Sequence, residues 1–219
     1  MGNRHDEIRQ FVNSKLSTID AIKDMTFQTV CLFSLLECFA QEHSDYPKGE
    51  PGKVFRKFLI DFLDKEDLDI LNLVDPISLY YNCDKLESIY SLDNLTPMIY
   101  NPIQIQNGCA DILQACDNCL DDKCDKKEKH KYLNLLYRCR NKISHEMQTP
   151  TTRLEWMQEE SHISYHKVSN VWHLSFHNVY LKNIFNKAIK SFINQRDKNS
   201  IDPFVNNDKA RRKFIAWYY

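Results

Sequence analysis

Glycine is scarce in this chain, at four of 219 residues, and with seven prolines it leaves few places where the backbone can turn sharply. Turn-rich β architectures are disfavoured on that ground. A dominant charge is missing too, since 29 basic and 30 acidic residues give a net charge of −1. No global field draws the protein to nucleic acid or to an anionic membrane, so any polyanion contact must come from a local patch. The longest apolar run, Val30 to Leu36 with Cys38-Phe39-Ala40, is broken by Glu37 and too short to span a bilayer. The opening Met1-Gly2-Asn3-Arg4-His5-Asp6-Glu7 is polar rather than signal-like. A soluble, cytoplasmic protein without membrane association is therefore expected. The eight cysteines fit it: Cys31, Cys38 and Cys139 sit in apolar periodic stretches, where a reduced thiol acts as a small hydrophobe.

What is present is apolar mass in helical rhythm. With 42% hydrophobic and 12% aromatic residues in 26.0 kDa, the chain can bury a full core, and one domain over residues 1–219 is expected, with 196–219 as a C-terminal tail. Periodicity predicts helices over residues 7–16 and 17–42, the second apolar around most of its circumference and so central. Residues 46–52, with two glycines and two prolines, read as a loop before a helix over 54–63. Asp75 caps a further helix with Pro76 in its first turn. Residues 86–101 look irregular, whereas 102–120 and 129–147 each read as one helix. Residues 162–168 and 171–176 alternate around Ser169-Asn170 as a β-hairpin, and a last helix covers 178–195. The fold class expected is mainly α, a helical bundle with one hairpin between the 129–147 helix and the C-terminal helix.

That 129–147 helix carries the most informative stretch, Arg140-Asn141-Lys142-Ile143-Ser144-His145. Arginine offers a planar, permanently charged fork that matches phosphate oxygens, and histidine exchanges protons near neutrality. Asparagine can hold a ribose hydroxyl or orient an imidazole. Helical spacing gathers Tyr132, Leu135, Leu136, Cys139 and Ile143 into a buried stripe and sets Asn141 and His145 nearly opposite. Arg140 lies between the two faces. His130, Asn134, Tyr137 and Arg138 extend the outward side. The plain alternative is that Arg140 and His145 merely complement the helix dipole.

The reading Leu-Tyr-Arg-Cys-Arg-Asn-Lys-Ile-Ser-His-Glu resembles the signature of the HEPN superfamily, all-helical domains marked by Arg, a polar residue (often Asn) and then His after a short gap. The resemblance covers about residues 18–195. It implies a metal-independent, cofactor-free endoribonuclease, a toxin or defence effector, with Arg140, Asn141 and His145 as catalytic residues. It further implies RNA as substrate, a homodimer with a composite site, and an antitoxin or regulatory protein as possible partner. A catalytically silent module that binds nucleic acid or protein is the alternative. In some HEPN toxins a partner modifies a tyrosine two residues after the histidine. Met147 stands there, which puts that control in doubt.

Other constellations compete. Cys116-x2-Cys119, with Cys109, Cys124 and His130, suggests half a zinc site, but no second close pair completes it, and no metal is expected. Lys209-Ala210-Arg211-Arg212-Lys213 with Phe214, Trp217, Tyr218 and Tyr219 could contact RNA, though docking on the domain is the simpler reading. His162, His166, His173 and His177 read as solvated strand positions.

Overall fold

Aromatic and aliphatic residues at three- and four-residue spacing build the observed architecture. The computed structural model describes residues 4–43, 50–95, 101–117, 124–146 and 162–201, with the backbone alone at 117, 124–126, 145 and 146. In chain order the helices are α1 Arg4–Asp20, α2 Met25–His43, α3 Pro51–Phe62, α4 Lys65–Leu71, α5 Pro76–Tyr81, α6 Asp84–Ile89, α7 Pro102–Gly108 and α8 Ala110–Asp117. A 3₁₀ turn at Cys124–His130 leads into α9 Tyr132–Glu146. An antiparallel hairpin, β1 Ile163–Val168 and β2 Val171–Phe176, precedes α10 Asn178–Lys198. The described residues are mainly helical with one small two-stranded sheet.

The centre is a seam of rings. Phe33 of α2 packs on Phe185 of α10 at 5.3 Å and on Phe55 of α3 at 6.0 Å. Phe192 of α10 meets Phe58 at 5.6 Å, Phe62 at 5.3 Å and Phe39 at 6.1 Å. Each fully buried Phe contributes about 1.5–3 kcal/mol, so this α2–α3–α10 seam dominates the bundle. As the sequence predicts, α2 is central: Leu32, Phe33, Leu35, Leu36, Phe39 and Ala40 are all buried.

Several element bounds differ from the periodicity reading. Residues 17–42 are not one helix. The N–H groups of Ala21 and Ile22 bond back to Ser17, Thr18 and Ile19, closing α1, and the Asp24 carboxylate accepts from Phe27 N at 2.7 Å to start α2. Residues 102–120 also divide, at Cys109, where a Cβ on Gly108 would stand 2.8 Å from Leu95 Cδ2. Pro51 and Gly52 open α3 instead of belonging to the preceding loop. Asp64, accepting from Asp67 N at 3.0 Å, caps an α4 that no strong periodicity announces. The expected irregular stretch, 86–101, opens inside α6, which runs from Asp84 to Ile89, and α9 begins at Tyr132.

Asp75 caps α5 as predicted, accepting from Ile77 N at 3.0 Å. The hairpin register pairs Ile163 with Phe176 and Val168 with Val171. Both turn residues, Ser169 (φ 50°) and Asn170 (φ 63°), are left-handed, as a two-residue hairpin turn requires. Among the described residues no helix is long and apolar enough to cross a membrane.

Candidate functional site

The entry to α9 is pinned before the helix begins. Asp75 N donates to His130 O at 2.8 Å, Tyr132 N to Leu73 O at 3.1 Å, and Val74 pairs with Lys131 as an isolated bridge. The Asn134 amide reaches back to the Glu128 carbonyl. The helix then buries Tyr132, Leu136, Cys139 and Ile143, the predicted stripe, together with Leu133, while Leu135 is half-buried.

Arg140 turns toward α2. Its Nη2 donates to Glu37 Oε2 at 2.7 Å, and its Nε lies 2.5 Å from Glu37 Oε1 as a charge contact without hydrogen-bond geometry. Its Nη1 donates to Asn141 Oδ1 at 2.9 Å. Two of a guanidinium's five N–H groups are thereby directed by Glu37 and Asn141. The side chains of Arg140 and Glu37 are only 15% and 19% exposed, so Arg140, expected between the two faces, turns to the covered side. Beneath it, Tyr137 packs on Phe55 at 5.5 Å, with the Arg56 and Arg140 guanidinium carbons 5.5 and 6.0 Å from the Tyr137 ring centroid. Gly52 makes that packing possible: a Cβ there would sit 2.7 Å from Tyr137 Cε1.

Asn141 is half-buried, and Arg138 and Lys142 are exposed. Position 145 lies in the last turn of α9, but the His145 side chain falls outside the described residues. The structure therefore joins Arg140 to Asn141 and leaves the third predicted member unplaced. Glu37 is the site residue that sequence reasoning missed. The available signal was a carboxylate inside an apolar helix, which needs a partner when buried.

Two expected outward groups are inward. His130 is buried, with Nδ1 2.8 Å from Ser78 Oγ, and burial, aided by Arg138 and Lys129, pulls its pKa below the ordinary imidazole value. His177 is also buried, 2.6 Å from Ser164 Oγ, whereas His166 and His173 stack across the hairpin at 5.7 Å. The hairpin histidines are thus not uniformly solvated: the strand end nearest α10 is covered.

Cys109 and Cys116 are buried in the core, and burial, with Asp111 and Asp75 nearby, pushes the Cys109 thiol up to about 12, a poor state for a metal ligand. Cys119, the Cys124 side chain and the basic-aromatic tail from Lys209 lie outside the described residues. Among the described residues no three His, Cys, Asp or Glu side chains converge as a metal site.

Two cavities stand out among the described residues. The larger, about 520 Å³, opens between the α1–α2 turn and the start of α10, and no α9 residue lines it. The smaller, about 260 Å³, runs along α9 between α5 and β2 and is lined by Leu135, Arg138, Cys139 and Lys142 from α9 itself. Comparison with family models, with curated proteins and with solved structures finds no match to this chain.

Proposed function

We propose that the C-terminal half of α9 is the reaction centre of a metal-independent, HEPN-like endoribonuclease. The observation that carries this reading is the Glu37–Arg140–Asn141 network. It fixes a guanidinium fork and a side-chain amide together, one helical turn before the histidine position. A half-buried ion pair is a weak source of stability, so its presence on the motif helix is better accounted for by positioning than by packing.

In this mechanism the RNA 2′-oxygen attacks the adjacent phosphorus, the bond from phosphorus to the 5′-oxygen breaks, and the departing oxygen takes up a proton. His145 carries the proton, and Arg140 stabilises the charge that develops on the phosphorane. Asn141 orients the ribose or the imidazole. The products are a 2′,3′-cyclic phosphate and a 5′-hydroxyl. Preorganised donors of this kind supply about 3–4 kcal/mol each to the transition state, and proton transfer adds roughly 10²- to 10⁴-fold. A two-fold dimer facing α9 to α9 would complete the site, with RNA as substrate and a regulatory protein as possible silencer.

The test is cleavage of end-labelled RNA in EDTA. The parent should cut, His145→Ala should lose at least a hundredfold, and a substrate with 2′-deoxyribose at the cleaved position should stay intact. Light scattering should give about twice 26.0 kDa. Parental cleavage by His145→Ala would end the reading. A second reading, the silent binding module, is favoured by the occupation of the Arg140 fork by Glu37. It predicts RNA that is shifted on a gel but uncut.

A further inference from the structure

We infer that the groove between α5, α9 and β2 is a subsite for a single-stranded RNA segment, with Arg138 and Lys142 on its phosphates and Tyr81 under a base. The inference rests on the endoribonuclease reading and names where the strand lies.

Arg138 and Lys142 are four apart on α9, so their stems rise side by side over the groove, and both are exposed. Among the described residues neither is paired with a carboxylate, in contrast to Arg140. His173 adds a third nitrogen group from β2. The net charge of the whole chain is −1, so this local pair supplies the positive potential that a polyanion needs. Asp75, the one carboxylate in the lining, is buried beneath its own cap bond to Ile77 N.

Tyr81 gives the groove its second feature. Its side chain is 40% exposed, yet its hydroxyl accepts from Trp172 N at 3.0 Å and its ring meets Tyr80 edge-on at 5.3 Å. An exposed ring held at its far end to the backbone of a neighbouring strand is a preorganised stacking platform, because little rotamer freedom remains to be lost on binding. The floor beneath is apolar, from Leu135, Cys139 and Phe176. Two cations on α9 and an anchored aromatic on α5 over an apolar floor suit a sugar-phosphate strand with splayed bases. A duplex would hide those bases. Helical spacing sets positions 141 and 145 on the flank of α9 next to Arg138 and Lys142, whereas Arg140 turns away toward Glu37 of α2, so a strand leaving the groove would meet positions 141 and 145 first.

The experiment separates binding from cleavage. A labelled 2′-O-methyl oligouridylate, which offers no attacking hydroxyl, is titrated by fluorescence anisotropy against the parent, Arg138→Ala/Lys142→Ala and Tyr81→Ala at several salt concentrations, with thermal unfolding as a folding check. The double variant should bind at least tenfold more weakly, with a salt slope shallower by about 1.4 for two lost phosphate contacts. Tyr81→Ala should lose roughly tenfold. Tyr81→Phe, which keeps the ring but frees it from Trp172 N, should fall between Tyr81→Ala and the parent. A double variant with parental affinity and slope overturns the subsite while leaving the endoribonuclease reading to its own cleavage assay. A parent that does not bind the oligonucleotide overturns the subsite outright.

Discussion

At the scale of single residues, the contact between Arg140 and Glu37 decides how any functional experiment must be read. The ion pair ties Arg140 to the fold, because truncation leaves the Glu37 carboxylate largely covered and without its cation. Arg140→Ala should therefore lower the unfolding free energy by about 1–3 kcal/mol, seen as a lower urea midpoint at unchanged slope. An unchanged midpoint would show the pair to be energetically idle. Arg140→Lys keeps a positive charge near Glu37 but cannot reproduce the fork, so it is the better probe of activity. The polar trio on α9 was legible in the sequence. Its partner was not, since no local rule links positions 37 and 140, which meet only when α2 and α9 pack.

At the scale of elements, the hairpin turn shows where local chemistry is unfinished. Ser169 holds φ 50° without being glycine, and a non-glycine residue there carries a penalty of roughly 1 kcal/mol. Ser169→Gly should raise stability by about 0.5–1 kcal/mol, whereas Ser169→Val should lower it by 1 kcal/mol or more. Thermal unfolding of both variants checks the sign, and destabilisation by glycine would show that the serine side chain outweighs the strain. Gly52 is the opposite case. Ala there would push into Tyr137, so Gly52→Ala should cost about 1 kcal/mol or more although alanine is the better helix former. The same contrast explains what periodicity missed. The longer helices, the central place of α2 and the hairpin follow from spacing that the chain carries locally, whereas the short α4 and α6 do not. The breaks at residues 21–24 and at Cys109 depend on an Asp24 cap and on Leu95 closing over Gly108, contacts that a continuous apolar rhythm conceals.

At the scale of the whole molecule, Asp75 joins more elements than any motif residue. Its backbone N–H holds His130 before α9, its carboxylate caps α5, and the hydroxyl of Tyr165 on β1 hydrogen-bonds the carboxylate and lies 2.5 Å from Tyr132 Oη of α9. Burial pushes this carboxyl up to about 6, against the hydrogen bonds from Tyr165 and from the Ser78 and Ile77 N–H groups that favour its ionised form. The folded-state value thus lies above the unfolded one, near 3.9, and between the two the native protein binds more protons. The stability that Asp75 contributes is therefore fully present below about pH 4, falls as pH rises through about 6, and is level above that. The change is on the order of 3 kcal/mol. Other carboxylates slope the opposite way, Asp64 among them, held low by the Asp67 N–H, so the parent's profile alone mixes the signs. Asp75→Asn keeps an oxygen for the Ile77 cap but cannot ionise, and subtracting parent from variant cancels the groups common to both. That difference should be largest at pH 7 and shrink by a few kcal/mol by pH 4 in urea unfolding series. A difference that stays flat from pH 4 to 7 would mean that Asp75 titrates as an ordinary carboxylate, and that the junction of α5, α9 and β1 is open to water.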